Sequence, residues 1–135
     1  MKNSIGLIVA FATTIISVQA QTVSSKKVPT QVKSALEKSH SPITKIKWEM
    51  EGLNYEARFS LKGIETTEVY TPAGRLIETE TSIKFSELPL LVQAKLKGLK
   101  MTETAKIVKA DGTVVYEAEV KGKDLLFDAN GNLVK

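Results

Sequence analysis

The sequence predicts an α+β protein made of two tandem repeats. Each repeat is a helix followed by a four-strand meander, and together they form an antiparallel sheet with two helices on one face. Three observations predict this: two segments with apolar residues at helical spacing, strand-like alternation, and regularly spaced glycines. With 135 residues, 42% apolar and 25% charged, the chain has an ordinary globular composition and is too short to expect more than one compact domain.

Residues 1–20 have the pattern of an export signal. Lys2 gives a positive start, Ile5 to Val18 carries no charge, and Val18-Gln19-Ala20 has the small-x-small pattern of a cleavage site. We predict cleavage after Ala20, because the apolar stretch of about 16 residues is shorter than the ~20 residues that an uncleaved membrane anchor needs. No cysteine follows it, which excludes a lipid-anchored lipoprotein. We expect a periplasmic or secreted protein without stable membrane insertion.

The remaining chain contains an internal repeat. The second copy follows the first at an offset of about 60 residues. Three motifs occur twice in the same order: the helix starts Val28-Pro29-x-x-Val32 and Leu88-Pro89-x-x-Val92, the strands Tyr55-Glu56-Ala57 and Tyr116-Glu117-Ala118, and an aromatic-x-x-x-Gly motif at Tyr70 and Phe127. We therefore assign residues 21–27 to a flexible N-terminal segment, residues 28–85 to repeat one and residues 86–135 to repeat two.

Each repeat opens with a predicted helix. Proline suits the first helical turn, where its missing N–H would be unpaired, so Pro29 and Pro89 mark the two starts. Gly98 lies where it could cap the second helix. Apolar residues fall on one helical face in both segments: Val28, Val32, Ala35 and Leu36 in the first, and Leu88, Leu91, Val92, Leu96 and Leu99 in the second.

Strands and tight turns are predicted after each helix. From Leu53 to Leu61 apolar and polar residues alternate, which is typical of a half-buried antiparallel strand. Asp111-Gly112 and Asn130-Gly131 are dipeptides that favour two-residue hairpins, because both central residues need positive φ there. The helices are expected to cover one sheet face and leave the other, here called the open face, to water. The glycines that mark turns are Gly52, Gly63, Gly74, Gly112, Gly122 and Gly131.

The composition excludes several classes of function. The chain has no cysteine and one histidine, so a disulfide framework, a cysteine nucleophile and a Cys/His zinc site are impossible. The 19 basic and 15 acidic residues are spread along the chain, with 10 and 8 in residues 26–85 and 8 and 7 in residues 86–135. A nucleic-acid binder usually concentrates its positive charge, so we expect no nucleic-acid partner.

Two features that could carry catalysis have simpler interpretations. His40 lies between two serines at a helix end, where adjacent residues cannot form a catalytic triad, and we predict a solvated histidine at the helix terminus. Glutamate pairs at i,i+2 place both carboxylates on one face of a strand, and we interpret them as a solvated surface with cross-strand ion pairs to lysines. These pairs are Glu49/Glu51, Glu78/Glu80 and Glu117/Glu119.

The segment from Asp128 to Asn132 resembles the opening of a calcium loop. Its glycine is fourth rather than sixth, and no glutamate stands at the twelfth position. A hairpin turn is the better interpretation. We therefore expect no metal, no cofactor and no enzymatic activity.

The duplicated unit resembles a known family. The order of its motifs is similar to that of the PepSY-like family of exported bacterial proteins, which is also described as β-lactamase-inhibitor-like. The resemblance implies a continuous antiparallel sheet with helices on one face, and a role in inhibition or ligand binding without catalytic residues. One difference from β-lactamase inhibitory protein is that this chain lacks cysteines and long loops. The motifs are the helix starts at Val28 and Leu88, the Trp48-Glu49 strand, the Tyr-Glu-Ala strands, and the turns after Tyr70 and Phe127.

The open face is the candidate binding surface. Val69 and Tyr70 are adjacent and cannot both face the helices, nor can Leu126 and Phe127, so one of each pair is expected on the open face. The candidate residues are Glu56, Arg58, Lys62, Tyr70, Glu117, Glu119, Lys121 and Phe127. Two functions remain open. The protein binds an exported protein or peptide, as an inhibitor or modulator of an extracytoplasmic enzyme such as a protease or β-lactamase, or it is a binding or sensing module that holds a small molecule or peptide between sheet and helices.

Overall fold

The computed structural model describes residues 21–40 and 42–134, so the predicted export signal lies outside the described residues. Eight strands form one antiparallel sheet in which spatial order follows chain order. Two helices complete the α+β fold, and none in the described ranges is long and apolar enough to cross a membrane. The elements are β1 (Gln21–Thr22), α1 (Thr30–Ser39), β2 (Lys47–Glu51), β3 (Asn54–Leu61), β4 (Ile64–Tyr70), β5 (Leu76–Ser82), α2 (Leu90–Leu96), β6 (Met101–Lys109), β7 (Val114–Val120) and β8 (Lys123–Phe127).

The helices bury their apolar stripes against the same face of the sheet. Val32 and Leu36 of α1 pack on β2, β3 and β4, and Val92 and Leu96 of α2 pack on β7 and β8. These four side chains are almost completely inaccessible to water, and burying each fully contributes about 2 kcal/mol of transfer free energy. The sheet residues beneath α1 are Trp48, Ala57, Phe59 and Tyr70, and those beneath α2 are Ala118, Val120 and Phe127.

Both helices begin in the same way. A short 3₁₀ turn, Ser25–Lys27 or Phe85–Glu87, precedes each, and Pro29 or Pro89 occupies the position just before the first helical residue. The carbonyl oxygen of each proline accepts a hydrogen bond from an N–H of the first turn. The prediction that these prolines mark the helix starts is therefore confirmed.

The strands differ from the prediction at both ends of the sheet. Residues 21–27, which the sequence assigns to a flexible segment, include β1, which pairs with β2. This pairing is extended by the N–H of Val23, which donates to the Trp48 carbonyl. After α2 the described chain forms three strands rather than four, because the segment after Gly131 contributes a single bridge between Leu133 and Phe127.

The tight turns also fall at unexpected residues. The two-residue hairpins with positive φ at both central residues are Lys62-Gly63 and Lys121-Gly122. The turn at Asp111-Gly112 is instead a three-residue loop, in which the Gly112 N–H donates to the Lys109 carbonyl. The turns that contain Gly74 and Gly131 have the same hydrogen-bond pattern. Glycine thus marks the turns as predicted, but the partner residue does not identify the turn type.

Two glycines allow helix and turn to touch. A Cβ at Gly74 would lie 2.6 Å from the carbonyl oxygen of Gln31 in α1, and one at Gly131 would lie 2.8 Å from that of Leu91 in α2. Both glycines have positive φ, which a side chain rarely adopts. Each helix is therefore held against a turn that only glycine can form without displacement.

Candidate functional site

The open face is the side of the sheet opposite the two helices. Side chains alternate along a strand, so the residues between those that pack on the helices point to this face. Glu56 and Arg58 of β3 and Glu117 and Glu119 of β7 lie on it, as predicted from the sequence. The strand register aligns Glu56 with Val69 and Glu78, which brings residues from three strands into one row.

Four of the candidate residues lie elsewhere. Tyr70 and Phe127 point towards the helices and are buried in the two cores, so their predicted placement on the open face is wrong. Their neighbours Val69 and Leu126 take the open-face positions instead. The reason is the pairing register, since Tyr70 lies opposite Tyr55 and Phe127 opposite Tyr116 on the helix side. Lys62 and Lys121 occupy exposed hairpin turns at the ends of their strands.

A groove of about 290 Å³ runs across the centre of the open face. It crosses seven strands, and residues far apart in the sequence therefore meet in it. Its apolar floor is formed by Val69, Ile107, Val115 and Leu126, and its polar lining by Glu51, Glu56, Thr67, Glu78, Glu80, Lys109 and Glu117. The groove thus combines five carboxylates with one ammonium group over an apolar base.

The carboxylates in the groove repel one another. Burial, reinforced by Glu103, Glu56 and Glu78 and opposed by Arg58, raises the pKa of Glu80 to about 7. Burial also raises the pKa of Glu117 to about 7, and the negative charges of Glu80, Asp124, Glu103 and Glu78 add to this effect. The pKa of Glu51 is raised in the same way, by burial and then by Glu56 and Glu78. At neutral pH the groove is therefore an unfavourable place for its own negative charges.

The glutamate pairs form only in part the solvated, ion-paired surface that the sequence predicts. Glu49 is buried and forms an ion pair with Lys47 of the same strand, 2.7 Å away. Arg58 contacts Glu56 at 3.3 Å and reaches Glu65 of the neighbouring strand at 3.8 Å. Glu80 and Glu117 have other carboxylates as near neighbours instead. The sequence analysis did not predict that these carboxylates lie close together. Adjacent apolar residues, such as Ile107-Val108 and Val114-Val115, place one apolar side chain on each face of a strand and could have indicated the apolar floor of the open face.

Charge is separated by face rather than along the chain. Ten of the fifteen acidic residues lie on the open face with three cations, Lys47, Arg58 and Lys109. The other fourteen basic residues of the described ranges lie on the helix side, in turns or in connecting segments. The even distribution along the sequence hides this polarity, because strand alternation sends neighbouring residues to opposite sides. The ten acids are Glu49, Glu51, Glu56, Glu65, Glu78, Glu80, Glu103, Glu117, Glu119 and Asp124.

On the helix side, His40 is not the solvated residue that the sequence predicts. Its side chain is 15% exposed, and Nε2 lies 2.8 Å from Oε1 of Glu68, which is 4% exposed. The Tyr70 hydroxyl donates to the other carboxylate oxygen, and the histidine ring lies 5.3 Å from the ring of Phe59. Burial and the hydrogen bond to Glu68 raise the pKa of Tyr70, so the tyrosine stays a neutral donor. We call His40, Glu68 and Tyr70 the polar triad.

A cavity of about 330 Å³ lies next to the polar triad. It is formed where the end of α1 meets the following segment, and its lining is Leu36, Glu37, His40, Pro42, Ile43 and Ile46. His40 is the only member of the triad that reaches it.

The segment from Asp128 to Asn132 forms a turn as expected, because the Asp128 carboxylate accepts hydrogen bonds from the N–H groups of Asn130 and Asn132.

Solved structures share this arrangement of sheet and helices. A protein from Bacteroides eggerthii, predicted to be periplasmic, matches with a TM-score of 0.72 at 20% identity over 80% of this chain and 86% of that one. A DUF2874 family protein from Bacteroides uniformis matches with a TM-score of 0.70 at 18% identity over 79% and 86% of the two chains. A BLIP-like protein from Bacteroides fragilis matches with a TM-score of 0.63 at 22% identity over 79% and 84%.

The fold is BLIP-like. At these identities the matches establish the fold alone, and the resemblance to the PepSY-like family stays a prediction. No family model and no curated protein matches the sequence.

Proposed function

We propose that this chain is an exported, non-catalytic binding protein whose open face holds a basic segment of another protein. The observation that carries the proposal is the groove, in which five glutamates surround an apolar floor. A lysine or arginine side chain has the matching chemistry, because its aliphatic stem can lie on Val69 and Ile107 while its charged end meets the carboxylates.

The electrostatics of the groove support this partner. Burial and mutual repulsion raise the pKa of Glu80 and Glu117 to about 7, so these groups are partly protonated at neutral pH. A bound cation favours the charged form of a carboxyl group and lowers its pKa. Binding of a basic segment is therefore expected to release protons near pH 7.

The likeness to a BLIP-like protein supports a more specific role as an inhibitor or modulator of an extracytoplasmic enzyme, such as a protease or β-lactamase. Complementary charge contributes chiefly to partner choice and association rate. We also infer that the two halves are copies of one unit, since equivalent prolines begin the helices and equivalent glycines touch them. The open face would then be one surface built from both copies.

The alternative function is binding of a small molecule or peptide. The cavity beside His40 is the feature that favours it. It lies at the end of α1, whereas the cores beneath the helices are filled, with Val32 and Val92 completely buried. We rank it second for that reason.

Capture from a native exported fraction tests the proposal. The chain from Gln21 onwards, immobilised, is expected to retain a protein that is lost when Glu80→Gln and Glu117→Gln are combined. The matched control combines Glu87→Gln and Asp111→Asn, which removes the same charge from exposed positions outside both the groove and the cavity beside His40. Calorimetry of the purified complex in buffers of different ionisation enthalpy should report proton release.

Three results would argue against the proposal. A captured protein retained equally by both variants would exclude the groove as its site. Proton uptake would exclude a basic partner. A small molecule that copurifies with the chain, in the absence of any protein, would favour the alternative.

A further inference from the structure

Helix α2 carries an exposed apolar surface that α1 lacks. The two helices occupy corresponding places, with Val32 and Val92 buried at equivalent positions. Where α1 has Thr30 and Gln31, α2 has Leu90 and Leu91. Leu90 is 81% exposed and Leu91 is 56% exposed, so the core does not require these leucines.

The apolar surface extends beyond the helix. Leu99 is 43% exposed and Leu133 is 66% exposed, and both line one shallow groove beside α2. Leu99 also lines a second groove, together with Phe85 and Leu90. We define the leucine patch as Phe85, Leu90, Leu91, Leu99 and Leu133. Contiguous exposed apolar surface of this kind marks an interaction site more often than isolated exposed residues do.

Lysines surround most of the leucine patch, and Asp128 lies at its edge, hydrogen-bonded to Asn132 next to Leu133. Lys95 and Lys97 line the two grooves, and Lys84 and Lys100 lie next to patch residues in the sequence. Glu87 is the single acidic residue between positions 83 and 101. The patch is thus opposite in charge to the open face, where ten acidic residues lie.

We propose that the leucine patch and its lysines bind an anionic lipid surface. Shallow insertion of aliphatic side chains together with attraction of lysines to acidic headgroups is how amphipathic protein surfaces associate with membranes without spanning them. The association is peripheral, since the patch belongs to a folded domain whose cores remain packed.

The composition of the patch favours lipid over a protein partner. Protein interfaces are enriched in aromatic residues and arginine and depleted in lysine, whereas this patch has one aromatic residue, four leucines and nearby lysines. Lysine is a flexible point charge that suits a diffuse surface of headgroups better than a fixed carboxylate geometry. A symmetric dimer through this patch would also bring like charges together.

Lipid binding would orient the molecule. An anionic surface attracts the lysine-rich side and repels the acidic open face, so the groove is directed away from the lipid. The inference does not depend on the proposed function, because it uses a different surface.

Vesicle sedimentation tests the inference. The chain from Gln21 onwards, which contains every helix and strand described above, is mixed with vesicles of phosphatidylcholine alone or of phosphatidylcholine with phosphatidylglycerol. We expect binding to the anionic vesicles that is roughly tenfold tighter than to neutral ones and weakens as salt is added. The variant Leu90→Thr with Leu91→Gln, which installs the α1 residues, should lose roughly tenfold in affinity.

Leu53→Thr is the matched control, because Leu53 is 83% exposed in the β2–β3 turn and lies outside the patch. It should bind as the unsubstituted chain does, and circular dichroism should show that both variants are folded. Absence of binding to anionic vesicles, equal binding to neutral vesicles, or equal loss in the control would overturn the inference. Self-association that the α2 variant abolishes, without vesicle binding, would instead assign the patch to a protein contact.

Discussion

The two halves of the molecule place different chemistry at equivalent positions beneath their helices. Glu68 and Tyr70 lie opposite Ala57 and Tyr55 in the first half. In the second half, Leu125 and Phe127 lie opposite Ala118 and Tyr116. The first half therefore buries a hydrogen-bonded acid where the second has a partly buried leucine. The polar triad is therefore not required for packing a helix on this sheet, because the second half packs α2 without one.

The two halves also differ in the length of their helices. Helix α1 has ten residues and α2 has seven, and His40, which follows the last residue of α1, lies within hydrogen-bond distance of Glu68. In α2 the helix stops before Gly98, which has a positive φ of 81°. His40, just after the end of α1, thus supplies a partner for the buried Glu68 carboxylate.

The largest expected loss of stability comes from replacing Glu68, the residue that distinguishes the first core from the second. Glu68→Ala should lower the free energy of unfolding by about 4 kcal/mol, because it leaves the Tyr70 hydroxyl and His40 without their buried partner. Glu68→Leu combined with Tyr70→Phe installs the pair found in the second half and should cost about 1 kcal/mol. Urea unfolding at pH 7 measures both. If the double variant is as unstable as Glu68→Ala, the first half needs its polar group and the two cores are not interchangeable.

A second, smaller loss of stability is expected from disturbing the contact between turn and helix, which both halves have. Gly74→Ala and Gly131→Ala should each cost about 3 kcal/mol, because the new Cβ meets a helix carbonyl oxygen in addition to the positive φ. Gly63→Ala and Gly122→Ala are the controls, since they have positive φ and no atom within 4 Å, and should cost about 1 kcal/mol. Thermal unfolding compares the four. Equal costs for all of them would show that the contact between turn and helix contributes nothing.

The smallest expected effect is a pH dependence of stability that comes from the open face, where the two halves meet. Glu80 and Glu117 have a pKa of about 7 in the folded protein, above the usual carboxyl value of 4.5. Between these values the folded state binds more protons than the unfolded state, so stability falls as the pH rises from 4.5 to about 7. Allowing for partial exposure of both groups, we expect about 1 kcal/mol lost between pH 5 and pH 8.

The pH dependence of stability is measured by comparing a variant with the unsubstituted chain. Chemical unfolding at pH 5 and pH 8 should show a smaller decrease for the variant with Glu80→Gln and Glu117→Gln than for the unsubstituted chain. Glu37→Gln with Glu87→Gln is the control for removal of charge elsewhere. An unchanged pH dependence in the open-face variant would show that these two carboxyls are not the source.

The fold was largely predictable, because its signals are local. Alternation around Tyr55, the prolines before the helices and the glycines at the turns each depend on a few neighbouring residues. The candidate site was less predictable because it depends on register. Whether Val69 or Tyr70 faces the groove follows from pairing across the hairpin to Glu56 and Tyr55, which composition does not specify. The partner of His40 lies 28 residues away and is brought close only by helix packing.

The sequential order of the strands has a kinetic consequence. Every strand pairs with its neighbours in the chain, and most pairs are joined by a short turn, so closing each hairpin loses little chain entropy. The exceptions are the β1–β2 and β5–β6 pairs, each of which must enclose a whole helix. Proteins dominated by local contacts fold quickly for their class. The slow steps are therefore expected to be these two pairings, and the joining of β5 to β6 is the one at which the two halves become one surface.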